Sequence, residues 1–181
     1  MSEMRQVRLS GFGGQGIVLA GLLLGQAGVM EGKYVTGSNS YGAQARGSGC
    51  KSEIVFSDHP IHYPHLIIAD ILVAMSQGAY QTYDEEVKES GIILYDRGRV
   101  VPNMELNVKQ LGVSATEISL KKLKNKQVAN IVMLGALVET TGIVSPRAIR
   151  KAIALHIPKR FQALNLKAFH KGMELGKQIN A

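Results

Sequence analysis

The segment Gly11-Phe12-Gly13-Gly14-Gln15-Gly16 restricts the fold more than any other stretch of this chain. A short β-prone run, Val7–Ser10, precedes it, and Ile17–Met30 follows as a helical run that is apolar nearly all round. G-x-G-x-x-G between a strand and a helix is the context in which that spacing carries chemistry. Glycines let backbone N–H groups approach a phosphate, and the helix N-terminus adds a favourable dipole. A tight turn whose glycines serve packing alone is the competing reading. A helix apolar on every side belongs in a core. Its Gly21, Gly25 and Gly28 predict one face packed close against another backbone.

Downstream, Lys33–Thr36 reads as a strand and Gly37–Gly49 as a long loop of small residues in which only Tyr41 and Arg46 are large. Loops of that length in compact domains are usually functional or mobile. Cys50, Ser52, Ile54 and Phe56 alternate with Lys51, Glu53 and Val55, a strand pattern. Ile71–Met75 reads as a buried strand. Ser76 is placed to cap a helix over Gln77–Glu89, ended by Gly91, and Ile92–Tyr95 is a further strand. After Ser114 the pattern is helical: Val128–Thr140, a helix opened by Ser145 and Pro146, and an amphipathic run over Phe161–Lys177. The order predicts an α/β fold with a mainly parallel sheet flanked by helices, three layers in a Rossmann-like manner, and a helical C-terminal third. No linker or repeat divides it, so residues 1–181 are expected to form one domain.

The glycine loop does not imply a nicotinamide site. A dinucleotide fold places an acid about 20 residues on to hold a ribose hydroxyl. Here that stretch is Tyr34-Val35-Thr36-Gly37-Ser38-Asn39-Ser40, with neither acid nor base. A phosphate-bearing ligand of another kind, or a protein partner, fits better. Ser40–Gly49 adds Gly42, Gly47 and Gly49 for backbone freedom. It also adds Arg46, whose planar fork of donors suits phosphate or carboxylate.

Composition excludes several classes. The single cysteine, Cys50, can neither form an internal disulfide nor hold an iron–sulfur cluster, which takes about four thiolates. Cys50 is expected to be buried and inert. No apolar run reaches the roughly 18 residues of a membrane span, and no signal-peptide pattern is present, so a cytoplasmic location is expected. His59, His62 and His65 stand three apart, but Pro60 and Pro64 forbid a regular helix, and a polar turn is favoured over a metal site. Asp70 and Asp96 flank short strands as strand-end residues or site residues. Net charge is +7, with one basic cluster at Lys121, Lys122, Lys124 and Lys126 and another at Arg147, Arg150, Lys151, Lys159 and Arg160. Such a field could attract nucleic acid, an anionic cofactor or an acidic partner, and solvated helix faces are the plainer reading. A nucleic-acid module is disfavoured because aromatic interleaving is missing.

Taken together, Gly11–Gly16, Tyr41-Gly42 with Arg46-Gly47, Ile54-Val55-Phe56-Ser57-Asp58, Tyr63-Pro64, Ala69–Ser76 and Tyr95-Asp96 resemble the gamma subunit, or gamma domain, of 2-oxoacid:ferredoxin oxidoreductases. The resemblance spans roughly residues 5 to 175. It is nearer the 2-oxoglutarate synthase type, since Ala43-Gln44-Ala45-Arg46-Gly47 stands where pyruvate-type subunits more often carry Pro-Glu-Arg-Arg-Gly. The resemblance implies a non-autonomous subunit of an enzyme that decarboxylates a 2-oxoacid, acylates coenzyme A and reduces ferredoxin. Its partners would be alpha, beta and ferredoxin-like delta subunits. Thiamine diphosphate, magnesium and [4Fe-4S] clusters would sit on those partners. It also implies coenzyme A binding, for which Gly11, Gly13, Gly14, Gln15, Gly16, Tyr41, Gly42, Arg46 and Gly47 are the candidates, with no catalytic and no metal residue on this chain. Nucleic acid and membrane are not expected partners, and a homodimer is compatible with the isolated subunit. An autonomous NAD(P)- or flavin-binding oxidoreductase is the alternative.

Overall fold

The computed structural model describes residues 4–42 and 49–180. Six strands form one sheet in the order β2-β3-β1-β4-β5-β6. They are β1 (Arg5–Phe12), β2 (Tyr34–Tyr41), β3 (Gly49–Ser57), β4 (Ala69–Ala74), β5 (Val87–Asp96) and β6 (Lys109–Val113). β1, β4, β5 and β6 run parallel, whereas β3 is antiparallel to both β1 and β2, so it alone runs against the rest. The sheet is therefore mostly parallel, as the alternation of strands and helices requires.

Helices α1 (Ile17–Met30), α4 (Ala129–Thr141), α5 (Pro146–His156) and α6 (Lys159–Asn180) cover one face. There, Val7 and Leu9 of β1, Ile54 and Phe56 of β3, and Ile71 and Val73 of β4 meet α1 and α4 in the main core. Burial of each such aliphatic side chain stabilises the fold by about 1.5–3 kcal/mol before the entropy of ordering is counted. The short α2 (Gln77–Tyr83) covers part of the other face over Leu72, Ala74 and Ile93. The remaining α-helix of the described residues, α3 (Ala115–Lys121), lies in sequence between β6 and α4 and is followed by a 3-10 turn at Lys126–Val128.

Several sequence expectations shift. Gly37–Gly49 is not a long loop: β2 continues to Tyr41 and β3 begins at Gly49, paired in register from Tyr34↔Ser57 to Tyr41↔Cys50. Pairing with β3 overrides the weak strand propensity of Gly37-Ser38-Asn39-Ser40. α2 stops at Tyr83 rather than near Glu89, and β5 starts at Val87, so Gly91 lies within a strand. A Cβ there would come within 2.9 Å of the Asp70 carbonyl oxygen, which is why glycine stands in that ladder. The glycines of α1 meet side chains rather than a backbone: a Cβ at Gly21 would strike Ser52, and one at Gly28 the Phe56 ring at 2.5 Å. Ser145 caps α5 as expected, its Oγ accepting from the Ala148 N–H at 3.2 Å, with Pro146 first in the helix.

On the α2 face, β1 and β3 carry a buried ionic cluster. Arg8 lies directly across from Glu53, donates to it at 2.8 Å, reaches Glu86 and sits 4.4 Å from the Tyr83 ring centroid. Lys51 also donates to Glu53, at 2.9 Å. Burial alone would raise the Glu53 carboxyl, but the bonds and charges of Lys51 and Arg8 outweigh it and hold it below the ordinary carboxylate value.

Candidate functional site

The chain leaves β1 towards β2 and β3 on one side and β4 towards β5 and β6 on the other. The order reverses between β1 and β4, and a crevice beyond the carboxyl ends of parallel strands at such a point is where ligands of open α/β sheets sit. Gly11–Gly16 lies at that position. Met75 follows β4 beside it, its N–H donating to the Ser10 carbonyl oxygen at 2.9 Å.

The residues of the loop divide by role. Gln15 bridges the crevice: its Oε1 accepts from the Phe12 N–H at 2.6 Å and its Nε2 donates to the Met75 carbonyl at 2.9 Å. A Cβ at Gly11 would lie 2.4 Å from that Oε1. Gly16, at φ 74, begins α1, and its carbonyl accepts from Asn130 Nδ2 at 2.9 Å; a Cβ there would lie 2.3 Å from that nitrogen. Packing within the protein thus explains Gly11 and Gly16. Gly14 differs, because at φ 91 it needs glycine and yet nothing lies within 4 Å of where its Cβ would be. Gly14 is exposed, and no other part of the protein lies over the position its Cβ would take, so a ligand could approach the main chain there.

Open space continues on both sides. Toward β4–β6, a cavity of about 70 Å³ is lined by Gly14, Gln15, Met75, Arg99, Thr116 and Lys126. Behind Thr116, and not itself lining the cavity, Asp96 is fully buried at the end of β5. That carboxylate accepts from the Gly98 N–H at 3.3 Å and from both the N–H and the hydroxyl of Thr116. Thr116 Oγ1 in turn accepts from Arg99 Nε at 3.1 Å, leaving the rest of that guanidinium for the cavity. Asp96 is therefore a positioning residue for an arginine, by way of a threonine at the start of α3. Asp70 is unrelated to the crevice: at the opposite end of β4 it accepts from the Gln6 N–H at 2.7 Å and from Lys88 at 2.6 Å.

Toward β3, a cavity of about 290 Å³ lies between Gly11 and Phe12 of the loop, Gly49 and Cys50 of β3, and α2. Phe12 pairs with Gly49, and the Gly42 N–H donates to the Gly49 carbonyl at 3.1 Å. The base of the β2–β3 connection, Tyr41 and Gly42, is thereby brought to the same end of the sheet as the glycine loop. Arg46 and Gly47 lie outside the described residues. Burial raises the Cys50 thiol above its ordinary value, so it stays protonated at neutral pH. Among the described residues no group of three His, Cys, Asp or Glu could hold a metal, and His65 stacks edge-on against Tyr63 at 5.5 Å. Arg99 and Thr116 escaped the sequence reading, and Lys126 stood there only as one member of a basic cluster. No local motif marks them, and only the rule that parallel strands gather their carboxyl ends could have found them.

One feature separates this crevice from a dinucleotide fold. β3 is inserted between β1 and β2, so β2 sits two strands away, about 9–10 Å from β1. The position where an acid would hold a ribose is displaced accordingly.

Comparison with known proteins gives the family. Residues 6–175 match the family model described as pyruvate ferredoxin/flavodoxin oxidoreductase. The chain is 45% identical to the 2-oxoglutarate synthase subunit KorC of Methanocaldococcus jannaschii over 97% of its own length and 95% of that protein. The keto/oxoacid ferredoxin oxidoreductase gamma subunit of Geobacter sulfurreducens superposes with a TM-score of 0.89 at 35% identity, covering 98% of each chain. The 2-oxoglutarate:ferredoxin oxidoreductase of Magnetococcus marinus, solved with 2-oxoglutarate, coenzyme A and succinyl-CoA, shares the fold with a TM-score of 0.88 at 23% identity over 98% of this chain and 32% of that one. A strand–glycine-loop–helix unit beside an inserted antiparallel strand, matched along almost its whole length, makes this chain a gamma-subunit member of the pyruvate ferredoxin/flavodoxin oxidoreductase family.

Proposed function

We propose that this chain is the non-autonomous gamma subunit of a 2-oxoglutarate:ferredoxin oxidoreductase, that residues 1–181 act as one domain, and that it helps to seat coenzyme A at a seam with its partner subunits. The observation that carries the reading is the exposed Gly14, with open space over its Cβ position, at the β1/β4 switch point, with Arg99 and Lys126 lining one side and Tyr41 and Gly42 at the same end of the sheet on the other. Coenzyme A carries a pyrophosphate and a 3′-phosphate, and glycine amides with guanidinium and ammonium groups are their chemical complement. Gly13, Gly14, Arg99 and Lys126 would hold the phosphates; Tyr41, Gly42, Arg46 and Gly47 would close over them. Gln15, Gly11 and Gly16 would hold the loop in shape. Thiamine diphosphate, magnesium and iron–sulfur clusters would belong to the alpha, beta and delta partners, and the isolated chain would be inactive.

The autonomous nicotinamide or flavin enzyme is disfavoured by the inserted β3 and the uncharged end of β2. The test is to assemble the chain with its alpha, beta and ferredoxin-like subunits and titrate coenzyme A. The expected result is oxidoreductase activity only in the assembly and an affinity for coenzyme A at least about tenfold weaker with Arg46→Ala, the scale of one lost charged contact. Equal affinity for the variant would refute the assignment of the ligand.

A further inference from the structure

The charge of this protein is segregated. Up to Thr141 the sequence holds thirteen Lys or Arg and thirteen Asp or Glu; beyond it there are eight Lys or Arg and one acid. The whole net charge of +7 therefore lies in the α5–α6 hairpin. The one acid, Glu174, is already engaged by Lys171 at 2.6 Å and His170 at 3.1 Å.

Helix geometry concentrates this charge. On α5, Arg147, Arg150 and Lys151 are exposed, opposite the buried Ile149 and Ile153. Lys159 and Arg160 continue the exposed surface into α6, past a corner tied by Gln162, which donates to the carbonyls of Ala154 and Ile157 at 2.8 Å. Apolar side chains stand among these cations. Leu155 is 71% exposed and Phe161 45% exposed, the latter with the Arg160 guanidinium 4.7 Å from its ring centroid. Phe161 also lines a cavity of about 240 Å³ at the corner, with Leu19, Val128, Ile157 and Leu164 as its apolar walls.

We infer that the α5–α6 corner docks an acidic folded surface of a partner subunit, with an apolar side chain of that partner seated in the corner cavity. The inference rests on the reading of the chain as a subunit. Apolar anchors ringed by charge are the anatomy of a protein interface, where the anchor supplies affinity and the rim supplies steering. The five exposed cations at the corner, Arg147, Arg150, Lys151, Lys159 and Arg160, are complementary to acid. Nucleic acid would make use of the charge but not of the apolar cavity. A bilayer would need the apolar faces of both helices, and Ile149, Ile153 and Phe169 are already spent in the core.

The test uses the full chain with its alpha, beta and ferredoxin-like subunits, measuring assembly affinity against salt. One variant is Arg147→Glu with Arg150→Glu and Lys151→Glu; a gentler one replaces the same three with Gln. A control of equal charge change, Lys88→Glu with Lys109→Glu and Lys121→Glu, lies on β5, β6 and α3, away from the residues that line the corner cavity. Thermal unfolding checks that each remains folded. The expected result is at least about a tenfold loss of affinity for the Glu variant, a smaller loss with a flatter salt dependence for the Gln variant, and less than about threefold for the control. Equal losses in corner and control variants, or no loss in either, overturn the inference while leaving the subunit reading intact. Failure of the unmodified chain to assemble overturns both. Tighter binding to a DNA duplex than to the subunits at physiological salt overturns it in favour of nucleic acid.

Discussion

The two rims of the crevice are built in opposite ways. The β1–α1 rim is contiguous in sequence: six residues make the turn, and Gln15 and Asn130 lock it. The β5–α3 rim is assembled from residues far apart in sequence, Asp96, Arg99, Thr116 and Lys126, and its Arg99–Thr116 part is held by one buried carboxylate. The first presents backbone held by side-chain hydrogen bonds; the second presents two cationic side chains, of which Arg99 stands on a hydrogen-bonded relay. Backbone amides fix where an anion sits, and mobile side chains set how tightly it is held.

Substitutions can break or sharpen this contrast. Gly16→Ala should have the largest effect. It forces an alanine into a left-handed backbone and displaces Asn130, at a cost of about 3 kcal/mol in denaturant unfolding. Little change would mean that the first rim is not locked. Asp96→Ala should cost about 2 kcal/mol, because three donors at the start of α3 and after β5 lose their acceptor. It should also weaken coenzyme A binding, and Asp96→Asn should recover part of the stability. Gln15→Ala should cost about 1 kcal/mol and loosen the loop, seen as faster hydrogen exchange at Phe12. Arg99→Ala, being exposed, should change stability by less than about 0.5 kcal/mol yet weaken coenzyme A in the assembled complex. An equal loss of stability from Arg99 and Asp96 would erase the distinction between a holding residue and a positioning one.

The ionic cluster on β1 and β3, which packs on Tyr83 beside the cavity toward β3, gives a smaller, pH-dependent effect. The Glu53 carboxyl is held below its ordinary value of 4.5, so its contribution is present above that pH and is lost as pH falls through the lowered folded value. Acid unfolding should accordingly be steeper for the parent than for Glu53→Gln below about pH 4.5. An identical pH profile for the two would show that the cluster does not couple to folding.

How much of this could be read beforehand follows the same division. The glycine loop, the alternating Cys50–Phe56 strand and the Ser145-Pro146 helix start were legible because their signals are local. The full length of β2 was not, because Gly37–Ser40 form a strand only by pairing with β3. The second rim was not either, since nothing local in Arg99 or Lys126 distinguishes them from surface cations until parallel strands bring their loops together. Gln15 read as a ligand contact and proves to be occupied at both ends of its carboxamide by the backbone.

The central claim is that main-chain amides of the β1–α1 loop receive the phosphates of coenzyme A. Hydrogen exchange of the assembled complex, with and without coenzyme A, tests it most directly. The account predicts slowed exchange at the amides of Gly13 and Gly14 on addition of coenzyme A, with protection weakened by Arg99→Ala. Unchanged exchange there, at coenzyme A concentrations that saturate the complex, would contradict it.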